Sequence, residues 1–170
     1  MKKNLYIALS TVVLATCFTS QVRAGSTSTA RKELSQVYTA LNAAAAQSNA
    51  QAVYSFNSSD FRCGIATNQL KTAKIHGRYG MLLTWHAAYE NSQFLYIKTS
   101  IERLNLKNNR ATVVIKDIAT IVHKDSVAKA TTREVMITRA TETWVKRNKR
   151  WQLLRTYTLA SKQLPSRTLT

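Results

Sequence analysis

Acidic residues are scarce in this chain: 8 Asp and Glu stand against 25 Lys and Arg, a formal charge of +17 at pH 7. The imbalance draws the molecule toward anionic surfaces, whether phospholipid headgroups, cell-wall polymers, polyanionic glycans or nucleic acid. That attraction is long-ranged, is weakened by salt and carries no specificity of its own. Glycine is rarer still, at 4 residues. None of them forms a phosphate-cradling loop or a Gly-x-Ser-x-Gly elbow, so nucleotide-dependent and serine-hydrolase chemistry find no motif. His76, His86 and His123 fall in separate segments without i, i+4 or cysteine-rich spacing, which leaves no zinc signature and implies no cofactor. Proline occurs once, at Pro165, and the 2 cysteines are Cys17 and Cys63.

What is present at the start of the chain has the order of an export signal. Lys2 and Lys3 form a positive segment, Leu5 to Phe18 a nearly uncharged apolar one, and Val22-Arg23-Ala24 a cleavage site, so residues 1–24 are expected to be removed. A membrane anchor needs about 20 uninterrupted apolar residues, and Ser10, Thr11, Thr16, Thr19 and Ser20 dilute a shorter run. Leu14-Ala15-Thr16-Cys17 resembles a lipobox, but Thr16 stands where Gly, Ala or Ser is preferred, so lipidation is the lesser alternative. Cleavage after Ala24 leaves Cys63 as the sole thiol, read as buried and inert, and permits no internal disulfide, so the exported domain must rest on its apolar core. Loss of Lys2, Lys3 and Arg23 lowers the formal charge from +17 to +14. The expected location is periplasmic or secreted.

The remainder reads as one domain over residues 30–160, preceded by a flexible lead-in at 25–29 and followed by a loose tail at 161–170. Leu34, Val37, Tyr38, Leu41, Ala44 and Ala45 recur at helical spacing within Ala30 to Ser48. Asn49 is placed to cap a short second helix bearing Val53 and Phe56, which ends in the turn-rich Asn57-Ser58-Ser59-Asp60. Phe61 to Gln69 has no clear period and reads as short strand or loop. A third helix is predicted over Lys71 to Tyr89, with Ile75, Tyr79, Leu82, His86 and Tyr89 on one stripe.

After Asn91 the chain turns rich in Val, Ile, Thr and aromatics, and four strands are predicted: Phe94 to Leu106, Arg110 to His123, Thr132 to Lys146 and Trp151 to Ala160. Asn108-Asn109 and Asn148-Lys149 supply tight turns, which dictate antiparallel hairpins, while Lys124 to Thr131 is a longer polar loop. The fold class is α+β, with N-terminal helices packed on a curved antiparallel sheet.

That order of elements, closed by Thr143-Trp144-Val145-Lys146 and Trp151-Gln152-Leu153-Leu154, resembles the superfamily of nuclear transport factor two and ketosteroid isomerase, specifically its exported bacterial domains of undefined function. The resemblance spans residues 30–160 and implies a cystatin-like roll with a cone-shaped pocket. It implies no particular activity, because the superfamily includes isomerases, dehydratases and non-catalytic subunits, and no local motif carries its catalytic residues onto this sequence.

In such a roll, Ala111, Val113, Ile115, Asp117, Ala119, Ile121 and His123 share one face of a strand, and Asp117 interrupts an apolar row. Arg139 falls in the row of Val135 and Ile137, and Arg155 in that of Trp151, Leu153, Tyr157 and Leu159, so a carboxylate and two guanidinium groups are candidates to meet in one pocket. There Asp117 would act as base or acceptor and the arginines would hold an anionic group. The plainer alternative is a structural ion pair, or a bulge that turns these residues to solvent. His86 is a candidate base or a hydrogen-bonded core residue, and Tyr38, Trp85 and Tyr89 a candidate aromatic wall or simple core. Lys146, Arg147, Lys149 and Arg150, combined with Lys71, Lys74 and Arg78, form the candidate basic surface.

Three functional readings follow. The first is a non-catalytic domain binding a small molecule or partner, the second a pocket enzyme of isomerase or lyase type, the third a basic module for anionic polymers or membranes. Nucleic acid is not expected as the partner of an exported chain, and related rolls pair through the sheet, so a homodimer is a candidate assembly.

Overall fold

A computed structural model describes residues 15–65, 76–125, 130–165 and 167–169. Helix α1 (Ala15–Ala46) buries Ala30, Leu34, Tyr38 and Ala45, with Leu41 between them, at the three- and four-residue steps of one helical face. The segment 25–29 is part of this helix rather than a flexible lead-in. The turns from Ala30 onward are fixed by packing, and extending an existing helix toward its N-terminus costs far less than nucleating one. Ser48, at φ 54°, reverses the chain. Asn49 then caps α2 (Ala50–Ser55) as expected, its side chain accepting from the Ala52 amide at 2.9 Å.

Two expectations for the middle of the chain are corrected. Asn57-Ser58-Ser59-Asp60 is not a turn but the start of strand β1 (Asn57–Ile65), anchored by the buried Phe61. Polar composition suggested a loop there, but Asn57 and Ser58 are themselves buried. β2 (His76–Gly77) pairs with β1, and α3 (Arg78–Asn91) begins after it, with Gly77 at its cap position. Lys71 to Ile75, the predicted first turns of this helix, lie outside the described residues. The helix is also rotated from its predicted stripe. Met81 and Trp85 pack inward, whereas Tyr79 is 68% exposed and His86 faces solvent. The larger apolar surface of Trp85 sets the register, not the histidine's.

β3 (Ser92–Lys107), β4 (Arg110–Asp125), β5 (Ala130–Arg147) and β6 (Arg150–Gln163) form the predicted antiparallel array. Asn108, Asn148 and Lys149 take φ of 56°, 50° and 63° in its two tight turns. β1 joins the array parallel to β6, which the long intervening chain permits. The order is β2-β1-β6-β5-β4-β3.

The described part of the tail, residues 161–165 and 167–169, is not loose throughout. β6 continues to Gln163, and β7 (Arg167–Leu169) pairs with the end of β5 that β6 leaves uncovered. The sheet curves around α1, and Trp144, Phe61, Leu34, Ile115 and Val113 fill the space between.

Candidate functional site

Strand parity decides which side chains meet inside the roll. On β4 the pairing with β5 runs unbroken from Arg110–Val145 to Asp125–Ala130. Ala111, Val113, Ile115, Ala119 and Ile121 therefore face α1 and are buried, with Asp117 in their row as the sequence implied. Their partners on β5 are Trp144, Glu142, Ala140, Met136 and Glu134, with Thr138 opposite Asp117. The inward set of β5 is thus the even-numbered one, and Arg139 lies on the other face, bonded to Glu102 at 2.7 Å.

On β6 the register slips at Leu154 and again at Leu159. Each slip exchanges the faces, so Arg155 is exposed opposite Thr143, and Tyr157 packs over Gly64. The proposed meeting of Asp117 with Arg139 and Arg155 does not occur, and Tyr157 does not line the interior.

What the fold does bring together is a set centred on Glu142, which the sequence reading missed. Tyr38, from α1, donates its hydroxyl to Glu142 Oε2 at 2.6 Å. Trp144 Nε1 is shared between that carboxylate oxygen and the Tyr38 oxygen, 2.9 Å from each, and the two rings meet edge to face with centroids 5.5 Å apart. The Thr156 hydroxyl also bonds Glu142.

Burial pushes the Glu142 pKa up to about 7, against the hydrogen bond from Tyr38, and the charge of Asp117 adds to the rise. Asp117 is itself raised by burial, opposed by a hydrogen bond from Thr99, and its Oδ1 has no partner among the described residues. Two carboxyls in one low-dielectric interior resist double ionisation, so the pair holds a proton near neutral pH. Tyr38 is raised far above the usual phenol range by its own burial and then by Glu142. The signal that could have found Glu142 is its place on β5 between Ala140 and Trp144, both core residues.

Around this centre lie three further features. Thr99, which bonds Asp117, also bonds the Asn42 amide of α1 at 3.1 Å. The two residues border an open cleft of roughly 480 Å³ between α1 and β3, lined also by Ser35, Thr39, Leu95, Ile97, Ile101 and the expected pocket residue Tyr38. Trp85 and Tyr89 form an aromatic cluster with Phe94, at centroid distances of 5.5 to 6.1 Å, apart from Tyr38, so the expected single aromatic wall is split in two. At the far end of the sheet, Ser92 Oγ bonds His123 Nδ1 at 2.7 Å, His123 Nε2 bonds Glu134 at 2.9 Å, and Gln163 donates to the same carboxylate. In a hydrolytic triad the hydroxyl sits on Nε2 and the carboxylate on Nδ1. Here the ring is reversed, and the chain ties β3 to β5 and β6.

The predicted basic surface is broken up. Lys146 reaches back to Glu33 of α1 at 2.7 Å, where Trp151 Nε1 also donates, and together they hold the Glu33 carboxyl below its ordinary range. Arg147 pairs with Asp60 at 3.2 Å, and Arg78 lies 4.0 Å over the Tyr54 ring. Lys149 and Arg150 remain exposed at the turn, while Lys71 and Lys74 lie outside the described residues.

Helices first, then a long curved sheet with α1 laid across its concave side, is an arrangement shared with solved structures. The fold is the nuclear transport factor two-like roll. A conserved protein from Planctomyces limnophilus superposes with a TM-score of 0.63 at 12% identity, over 80% of this chain and 98% of that one. A ketosteroid isomerase-like protein from Erwinia carotovora gives 0.56 at 15% identity, over 76% and 95%. A nuclear transport factor two-like protein from Cytophaga hutchinsonii gives 0.58 at 9% identity, over 76% and 97%. No family model and no curated protein matches the sequence. At such identities the likeness carries the roll and its cone, and no residue's role.

Proposed function

We propose that this chain is an exported, non-catalytic ligand-binding domain of the nuclear transport factor two-like type. Its site is the cleft between α1 and β3, and its ligand a small molecule with an apolar body and an acidic end. One observation carries this reading. Trp144 and Leu34 are fully buried inside the roll and Glu142 is hydrogen-bonded to Tyr38, while the cleft beside Tyr38, Asn42 and Thr99 stays open. Leu95, Ile97 and Ile101 suit an apolar body, and the Asn42 amide suits a carboxyl oxygen at its end.

Export is supported by Lys2 and Lys3, the Leu5–Phe18 apolar run and Val22-Arg23-Ala24. Cleavage after Ala24 would leave every core residue of α1, from Ala30 on, in place. N-terminal sequencing of the exported protein should begin at Gly25. Calorimetric titration with a series of medium-chain carboxylic acids should show saturable binding that Thr39→Trp abolishes by filling the cleft. Binding unchanged in that variant would place the ligand elsewhere.

A second reading, a pocket enzyme moving a proton next to a carbonyl, is favoured by the Glu142 pKa near 7 beside the Tyr38 hydroxyl and a second carboxyl. It requires substrate to reach Glu142. Turnover of an enolisable ketone that Glu142→Gln eliminates would support it over the binding reading.

A further inference from the structure

The outward face of the β3–β6 sheet is rich in cations. Parity and the bulges put Lys98 and Arg103 of β3, Lys116 of β4, Arg139 of β5, and Arg155 and Lys162 of β6 on it, all exposed. Among the described residues the one acid there is Glu102, on a bulge of β3, and it is bonded to Arg139. Other acids are spent elsewhere: Glu33 on Lys146, Asp60 on Arg147, and Asp117, Glu134 and Glu142 on the inner face.

The cations lie in a band across the strands. Arg139 stands directly opposite Lys116 and beside Ala160, and Lys162 lies one step along β6. With neighbouring strands about 4.8 Å apart, the band crosses four strands in about 14 Å. It is also recessed. Beside the slip at Leu159 lies a groove of about 340 Å³ lined by Ile137, Ala160 and Ser161, by Lys116, Arg139 and Lys162, and by Glu102, whose carboxylate is bonded to Arg139. Tyr96, 51% exposed, and Tyr157 share this face and flank the band.

We infer that this groove is a binding site for a linear anionic polysaccharide. The cations at strand spacing bind its acidic groups, and the flanking tyrosines meet the apolar faces of its sugar rings. Charge complementarity selects a polyanion. The recess selects a chain that can enter it over a planar bilayer, and a second copy of this face would set cations against cations.

The test is titration of the full chain with dextran sulfate, with neutral dextran of equal length as control. Phosphatidylcholine–phosphatidylglycerol vesicles and a single-stranded oligonucleotide serve as competitors. At about 150 mM salt the chain should bind dextran sulfate about 10-fold more tightly than either competitor and should not bind dextran. Lys116→Glu/Arg139→Glu/Lys162→Glu should weaken binding about 20-fold or more, while Lys107→Glu/Lys149→Glu/Arg150→Glu, an equal charge change at the two tight turns, should stay within about threefold. Glu102→Gln, which frees Arg139, should tighten binding about twofold. Circular dichroism confirms that each variant folds. Equal weakening by both triple variants would reduce the effect to net charge and overturn the site, and preference for vesicles or the oligonucleotide would overturn the polysaccharide assignment.

Discussion

On its inner face the sheet carries Asp117, Glu134 and Glu142 among core side chains, and on its outer face Lys98, Arg103, Lys116, Arg139, Arg155 and Lys162 in contact with water. Apart from Glu102, which faces outward, and Lys146, which reaches in to Glu33, these carboxyls point in and these cations out. Asp117 and Glu142 lower their desolvation cost by keeping a proton and by hydrogen bonds to Thr99 and to Tyr38, Trp144 and Thr156. An outer cation is hydrated, costs little and contributes little to stability. The inner face should thus govern stability and its pH dependence, and the outer face encounter with anions.

Substitutions should separate the two faces. Trp144→Ala removes a fully buried side chain and the indole bond to Glu142 and should cost about 4 kcal/mol in urea unfolding. Glu142→Gln tests the buried charge. The folded-state pKa of about 7 lies above the ordinary glutamate value of 4.5. Glu142's stabilising contribution is therefore complete below pH 4.5, is lost as pH rises toward 7, and stays lost above it. Gln at this position should flatten the decline between pH 4.5 and 7 and leave the variant about 3 kcal/mol more stable than the parent at pH 8. An unaltered slope would assign the decline to other groups.

Gly64→Ala probes the edge between the faces, because a Cβ there would come within 2.8 Å of the Tyr157 ring. A loss of about 1–2 kcal/mol is expected, largely relieved when Tyr157→Ala is added. Arg155→Ala, on the outer face, should change stability by no more than about 0.5 kcal/mol. A larger loss there would show that the outer cations are structural.

The four long strands and the inward row of β4 were legible because β4 pairs with β5 without a slip, so simple alternation placed Asp117 correctly. The same rule failed on β6, where extra residues at Leu154 and Leu159 exchange the faces and turn Arg155 outward. Bulges leave little trace in composition. Glu142 was passed over because Val135 and Ile137 made the odd-numbered row of β5 look like the apolar one, although Trp144 and Ala140 mark the even row as inward. The strand at Asn57–Ile65 was hidden for a different reason. Its parallel partner lies most of the chain away, and nothing local announces such pairing.

Burial among core side chains holds Glu142 as an acid that keeps its proton toward neutral pH. A carbon-detected NMR titration of the Glu142 carboxyl between pH 3 and 9 tests it directly. The midpoint should fall near 7, and lower in Asp117→Asn, where the neighbouring charge is gone. A midpoint near 4.5, the ordinary value for the group, would mean that water reaches Glu142 and that the interior is an open pocket.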